Sequence, residues 1–362
     1  MNSFLKTSLL QIKNGLKIVQ NYSTLPSNSK TLVCLYNRSI VQLAGNGVFN
    51  FLQGLITNDI RHLQNGAANI YTLLLNKQGR VLYDAIIYKT ENENVIFIEC
   101  DNSIIDDIIK HMQMYDLRKK ISIKSLQEEM KVWVLFDENL SSFQSNKRVC
   151  KDEDSLSEEK LLPCGIHDNK SFKSINNNFI YADPRLNELG NRILTSSTVS
   201  DFEISKNIEA NSSFKESSKY KIFRYKLGIG EGVEDLVPKT MFPLEINCDF
   251  LNGISFNKGC YIGQELTART RYTGVIRKRL MPLTYNETKK VLFKYDDKIM
   301  NESSKVVGKI KGAENGFLLG LMRVNETLNS KTLKVGDYEI KINYPFWWPK
   351  ELQTNEKLIN RR

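Results

Sequence analysis

A chain of 362 residues with 41% hydrophobic and 25% charged residues has ordinary globular composition, which excludes wholesale disorder and leaves room for two or three domains. With 20 glycines and 8 prolines it is neither collagen-like nor proline-rich, and no apolar run approaches the ~18 residues that a membrane-spanning helix needs. The 51 Lys and Arg against 41 Asp and Glu give +10, a balance that suits nucleic acid, an anionic ligand or a basic compartment.

The amino-terminal stretch carries no acid before Asp59 but has Lys6, Lys13, Lys17, Lys30 and Arg38. Leu5, Leu9, Ile12, Leu16 and Val19 recur with the period of one helical face. A basic amphipathic helix followed by Ser, Thr and Asn has the composition of a mitochondrial transit peptide, over residues 1–22 with its end extending up to 30. Lysines interrupt any secretory apolar core, and the remaining alternative is a surface helix of the folded protein. Removing Lys6, Lys13 and Lys17 from +10 leaves +7. The expected address is the mitochondrial matrix.

Residues 32–43 read as a strand, and Asn46–Leu55 as the start of an amphipathic helix. Asn69–Leu75 and Arg80–Tyr88 form a hairpin around Asn76-Lys77-Gln78-Gly79. A strand at Val95–Cys100, a helix at Ile104–Met114, and strands at Ile121–Ile123 and Val132–Phe136 follow. The mixture predicts α+β layers over a body spanning 31–275. Polar stretches near 140–178 and 200–218 read as expanded loops, with strand character returning at Phe179–Ala182. Tyr220–Leu227 reads as a helix closed by Gly228. From 276 to 362, short strands with glycines at 308, 312, 316, 320 and 336 predict a small antiparallel barrel or sandwich. Phe346-Trp347-Trp348 reads as core or barrel-edge packing, with a partner surface as the alternative.

Six cysteines (34, 100, 150, 164, 248, 260) occur with no C-x-x-C, so clustered zinc or self-contained iron–sulfur ligation is unsupported. Among them Cys260 stands out. It follows Lys258 and Gly259 and precedes a helix-forming run from Gln264 to Arg271, so a cation and a helix amino end would both favour its thiolate. The alternative for such a cysteine is a buried structural thiol. Around it Lys258, Arg269, Arg271, Arg277, Lys278 and Arg279 face only Glu265, a local +5 over 258–279. That run reads as a nucleic-acid surface, a solvated face or a dock for an acidic partner. No RNA-module signature or interleaved aromatics accompany it, which weighs against RNA.

The stretch Asn257-Lys258-Gly259-Cys260-Tyr261-Ile262-Gly263-Gln264-Glu265 resembles the K-G-C-[YF]-x-G-Q-E signature of the YgfZ-type iron–sulfur assembly factors, relatives of the glycine-cleavage T-protein. Leu266-Thr-Ala-Arg269 and Gly274-Val-Ile-Arg-Lys-Arg279 resemble the mitochondrial branch. The similarity extends through Phe51–Asp59, Leu75–Arg80, Leu82-Tyr83-Asp84, Arg224–Gly232 and Phe242–Glu245. It implies the aminomethyltransferase folate-binding fold, a ring of three domains whose last is the barrel. It also implies tetrahydrofolate as cofactor and a role late in [4Fe–4S] protein maturation. Cys260 would be the functional thiol, a cluster ligand shared with an iron–sulfur scaffold or carrier protein. Asp84 falls where the T-protein keeps the aspartate beside its folate, although paired aspartates there become Tyr83-Asp84 here. An Asp on a strand face with Leu82, Ile86 and Tyr88 must be paired, protonated or facing a ligand. Tyr71, Arg224 and Glu245 fall in segments that line the folate cavity of the relatives. Arg224 would grip a glutamate tail and Glu245 would accept from pterin NH groups, or each would belong to a structural ion pair. The competing functions are a folate-dependent one-carbon transferase using Asp84 and, more remotely, a basic RNA-interacting protein.

Overall fold

The computed structural model describes residues 30–118, 120–138, 173–175, 178–208, 211–212, 216–285 and 291–349. The transit-peptide stretch and most of the polar 140–178 region lie outside the described residues.

Among the described residues the strands form two sheets and a barrel. Strands β1 (Lys30–Cys34), β2 (Arg38–Ala44), β3 (Asn69–Leu75), β4 (Val81–Lys89), β5 (Val95–Asp101), β6 (Ser122–Ser125) and β7 (Met130–Asp137) are dealt between the two sheets. One is five-stranded and antiparallel, in the order β3-β4-β5-β2-β6. The other takes β1 and β7 with β8 (Lys173–Ile175), β9 (Asn178–Ala182), β10 (Asn191–Ser196) and β11 (Asn211–Ser212), in the order β11-β1-β7-β10-β9-β8. The strand expected over 32–43 is therefore two strands in different sheets. A turn at Leu35–Asn37, closed by Arg38 N–H to Leu35 O, carries the chain from one sheet to the other. Both halves are buried, so no change of polarity marks the crossing.

Alternation along the strands sorts side chains into layers. On β3 and β4, Tyr71, Leu73, Ile86 and Tyr88 join a central core, while Ile70, Leu74, Ala85 and Ile87 join a second core. Helices Val48–Gln53 and Ile105–Tyr115 cover that second core with Val48, Leu52, Ile105, Ile108 and Met112. Across the six-stranded sheet, Val132, Val134 and Phe136 face the central core, and Leu32, Trp133 and Ile193 face a third. Ile204 closes the third core from a helix, Asp201–Ile208, inside the stretch expected to be an irregular connection. The helix has a physical signature in the sequence. Ser200 Oγ accepts from Glu203 N–H (3.2 Å) while Glu203 Oε2 accepts from Ser200 N–H (3.0 Å), a reciprocal capping box.

Helix Ser217–Leu227 ends at Gly228 in the left-handed region (φ 75°) and leads into a short turn, Gly232–Asp235. The carboxy-terminal unit is a closed barrel, β12-β15-β14-β13-β16-β17, running from β12 (Lys278–Tyr285) through β13 (Lys298–Asn301), β14 (Val306–Glu314), β15 (Phe317–Arg323) and β16 (Leu333–Val335) to β17 (Tyr338–Ile342). Its Leu280, Leu318 and Ile310 belong to the same central core as the two sheets. Trp347 and Trp348 pack into it too, with Trp347 Nε1 donating to Leu227 O at 2.9 Å. The three units thus share one continuous apolar centre.

Candidate functional site

Two clusters hold the residues that the sequence singles out. The first is the arch around Cys260. Among the described cysteines Cys34, Cys100 and Cys248 are buried and Cys260 is exposed. Burial pushes Cys34 up to about 11 and Cys100 up to about 12, and raises Cys248 well above the ordinary thiol range. Those thiols are inert structural groups.

The arch is pinned on both sides. On its upstream side the Lys258 ammonium donates to Gln53 O (2.8 Å), Ile56 O (2.7 Å) and Asn58 O (2.6 Å). Burial pulls that ammonium down to about 8, against the neighbouring Asp59 carboxylate. On the downstream side Ile262 N–H donates to Gly54 O at 3.0 Å. Gly263 then caps helix Gln264–Thr273 with φ 76°. A Cβ on Gly263 would lie 2.3 Å from Asn76 O, so only glycine lets this cap rest on the β3–β4 hairpin turn. Gln264 Oε1 accepts from Tyr261 N–H at 3.2 Å, and the Tyr261 ring packs on the central core. Glu265 is exposed in the helix's first turn. Gly259 is exposed and a Cβ there would meet nothing within 4 Å, so no crowding demands glycine. One expectation changes. The Lys258 charge is directed at backbone carbonyls within the fold, whereas the sequence placed it at the service of the thiol.

The second cluster is a buried ion network where the two sheets meet the Tyr220–Asp235 segment. Asp84, 3% exposed on β4, accepts from Gly232 N–H (Oδ1, 3.0 Å) and from Arg38 Nη1 (Oδ2, 3.4 Å). Arg38 Nε donates to Glu99 Oε1 (2.8 Å), and Tyr88 OH donates to Glu99 Oε2 (2.6 Å). Arg192 on β10 reaches Glu99 (3.1 Å), Asp183 (3.3 Å) and Glu231. Arg185 pairs with Asp183 (2.8 Å) and Glu231 (2.7 Å), and both arginines donate to Tyr220 OH. Four guanidiniums, of Arg38, Arg185, Arg192 and Arg224, thus meet five carboxylates, of Asp84, Glu99, Asp183, Glu231 and Asp235.

The carboxylates are pushed apart. Despite burial, Arg192, Arg185 and Arg224 hold Glu231 well below the usual carboxylate range, and Arg185 likewise lowers Asp183. Asp84 moves the other way, raised by burial against the pull of Arg38. Such a contrast sets Asp84, whose proton affinity is raised, apart from Glu231 and Asp183.

Tyr71 is 1% exposed and senses Asp84, with its ring 5.5 Å from the Arg185 guanidinium. Arg185 Nη1 is buried and has no hydrogen-bond partner among the described residues. Arg224 also reaches the cluster, but its Nη1 already donates to Ile229 O (2.9 Å) and Asp235 Oδ2 (2.7 Å), with Nε 3.8 Å from Glu231. Glu245 makes its contacts elsewhere, accepting from Phe242 N–H (3.0 Å) and lying 3.4 Å from the Lys278 ammonium. Tyr71, Asp84 and Arg224 therefore converge on one network. Glu245 lies against the first residues of β12, and Cys260 on its own arch. Sequence reasoning passed over Arg38, Glu99, Asp183, Arg185, Arg192 and Glu231. The available signal was local: single charges inside apolar strands, as with Glu99 after Ile96-Phe97-Ile98.

Residues 277–350 match the family model described as CAF17, C-terminal beta-barrel domain. The chain is 31% identical over 342 residues to the mouse protein "Iron-sulfur cluster assembly factor IBA57, mitochondrial", covering 90% of this chain and 87% of the mouse one. The human protein of the same name is 29% identical over 329 residues, with 87% and 84% covered. In structure the chain is similar to the glycine cleavage system aminomethyltransferase T from Bartonella henselae. The TM-score is 0.65 at 13% identity, over 88% of this chain and 86% of that one, a likeness of fold.

Proposed function

Because the chain belongs to the IBA57 family of mitochondrial iron–sulfur cluster assembly factors, we propose that it serves the maturation of iron–sulfur proteins in the mitochondrial matrix, with Cys260 as its working thiol. The observation that carries this reading is the exposed cysteine on an arch fixed at both ends, in a chain whose other described cysteines are buried. Among the described residues no group of three or more His, Cys, Asp or Glu is arranged to hold a metal ion. A cluster met at Cys260 is then cargo, whose remaining ligands come from a scaffold or carrier chain. The step is late, at [4Fe–4S] proteins. Its test is depletion of the protein from cells. Aconitase activity falls while a [2Fe–2S] ferredoxin assayed in the same mitochondria is preserved, and normal aconitase defeats the proposal.

Tetrahydrofolate is the cofactor we infer for the buried network. Support comes from the unpartnered Arg185 Nη1 beside Tyr71, and from Asp84, whose raised proton affinity suits a nitrogen-rich ring. Tyr71, Asp84 and Arg185 would hold the ligand, with Arg224 setting the position of Glu231. When bound, tetrahydrofolate supplies a one-carbon carrier. Asp84 holds or releases a proton, and the apolar centre excludes water. Calorimetric titration with tetrahydrofolate tests this. Binding is lost in Asp84→Ala and Arg185→Met, and unchanged binding in both places the ligand elsewhere.

A further inference from the structure

The Lys258 side chain has three N–H donors, and all three end on main-chain carbonyls of one segment. Gln53 O belongs to the last residue of helix Val48–Gln53, where carbonyls have no partner within the helix, and Ile56 O and Asn58 O follow in the loop. Three oxygens converging at 2.6–2.8 Å on one positive nitrogen are the surroundings that a small monovalent cation would seek. The same loop is stitched to the Cys260 segment at other points. Thr57 Oγ1 donates to Gly253 O (2.6 Å), Ser255 N–H to Thr57 O (3.1 Å), Asn58 Nδ2 to Asn252 O (2.8 Å) and Ile262 N–H to Gly54 O (3.0 Å). Between Lys258 and Ile262, however, only Gly259, Cys260 and Tyr261 remain, and the first two are exposed. Lys258 is thus the nearest anchor upstream of the thiol.

We propose that the Lys258 ammonium is a built-in cation whose three carbonyl bonds fix the arch that presents Cys260, which makes Lys258 a positioning residue for the thiol. The proposal rests on reading Cys260 as the working thiol, but it makes a separate statement about what holds that thiol in place. Without the ammonium, three inward carbonyls lose their donor together, and the 258–262 arch keeps only its downstream ties at Tyr261 and Ile262. A guanidinium at the same place would not restore it, because a planar fork does not match three oxygens gathered around one nitrogen.

The experiment uses the full chain with Lys258→Ala, Lys258→Met and Lys258→Arg. Two readouts are taken at fixed pH: amide hydrogen exchange along the chain, and the iodoacetamide rate of Cys260 followed by peptide mapping. Neither depends on cluster binding, so a failure here leaves the assembly-factor reading to its own test. In Lys258→Ala, exchange of the two arch amides that donate hydrogen bonds, Tyr261 and Ile262, rises about tenfold or more, the scale of losing hydrogen bonds to a charged donor. The Cys260 rate departs from wild type with it. Propylammonium at millimolar concentration enters the vacated space and returns both readouts toward wild type, whereas tetramethylammonium, a cation without N–H donors, does not. Lys258→Met behaves like the alanine variant but is not rescued, since its stem fills the space, and Lys258→Arg stays impaired. Lys258→Met also keeps the test open if Lys258→Ala fails to fold. Exchange at Tyr261 and Ile262 within about twofold of wild type in Lys258→Met would overturn the proposal, being less than one hydrogen bond is worth. So would equal rescue by tetramethylammonium, or a rise spread evenly over the whole chain.

Discussion

Replacing Arg192 with methionine removes the guanidinium that joins the two sheets and the Tyr220–Asp235 segment. In the wild type it touches Glu99 on β5, Asp183 after β9 and Glu231 before the turn Gly232–Asp235, and donates to Tyr220 OH at 3.0 Å. All three carboxylates are buried, so none can recover solvation when the cation goes. Each does retain other donors: Arg38 and Tyr88 for Glu99, and Arg185 for both Asp183 and Glu231. Loss of one partner from a buried pair costs about 3–5 kcal/mol, and the remaining donors place Arg192→Met near 3 kcal/mol. Arg192→Lys recovers little, because an ammonium cannot serve three separate carboxylates through a planar fork. Equilibrium urea unfolding, followed by near-ultraviolet circular dichroism and by fluorescence, measures the loss. A double-mutant cycle with Glu99→Gln then isolates the coupling across the two sheets. A loss below about 1 kcal/mol, the scale of a solvent-exposed pair, would refute the view that this network clasps the units together.

Asp84 gives a pH dependence of definite sign. Its folded pKa is raised above the 3.8 of the free side chain by burial, so its contribution is present below that value and is lost as pH rises through the folded pKa. Measured against wild type, Asp84→Asn therefore gains stability as the pH rises above 3.8 and through the folded pKa. A difference in urea midpoint that is flat over that range contradicts the assignment. Gly253→Ala forces a Cβ to within 2.3 Å of Cys248 Sγ and 2.7 Å of Tyr71 Cδ1, and overpacking of that kind costs about 1–3 kcal/mol by thermal or urea unfolding. In native protein treated with iodoacetamide, peptide mapping finds Cys260 modified while Cys34, Cys100 and Cys248 are protected until denaturant is added. Labelling of Cys248 at the rate of Cys260 would show that the central core opens far more readily than its packing implies.

What the sequence revealed and what it hid follow from the range of the interactions concerned. The β3–β4 hairpin was legible because Gly79 and the Asn76 side chain, whose Oδ1 accepts from Arg80 N–H, close the turn locally. Helix Ser217–Leu227 was legible through its terminal Gly228, and the barrel through its spaced glycines. The break between β1 and β2 was hidden because both strands are buried and the switch of sheets needs only Leu35–Asn37. The helix at Asp201–Ile208 was hidden by its polar composition, although Ser200 and Glu203 carry the capping signal. In the network, Arg192 and Glu99 are 93 residues apart, and no spacing in the chain announces their contact. The Lys258 anchor is equally nonlocal, since its acceptors lie some 200 residues upstream and are main-chain carbonyls without a side-chain code. The Cys260 motif was read directly, being contiguous.

The central claim is that Cys260 carries the contribution to iron–sulfur protein maturation. Its most direct test is complementation of cells lacking the protein with wild type, Cys260→Ser and, as a matched control in a buried thiol, Cys34→Ser, each at equal matrix abundance. The account predicts that wild type and Cys34→Ser restore aconitase activity while Cys260→Ser leaves it at the level of the depleted cells, with ferredoxin unaffected throughout. Full restoration of aconitase by Cys260→Ser would contradict it.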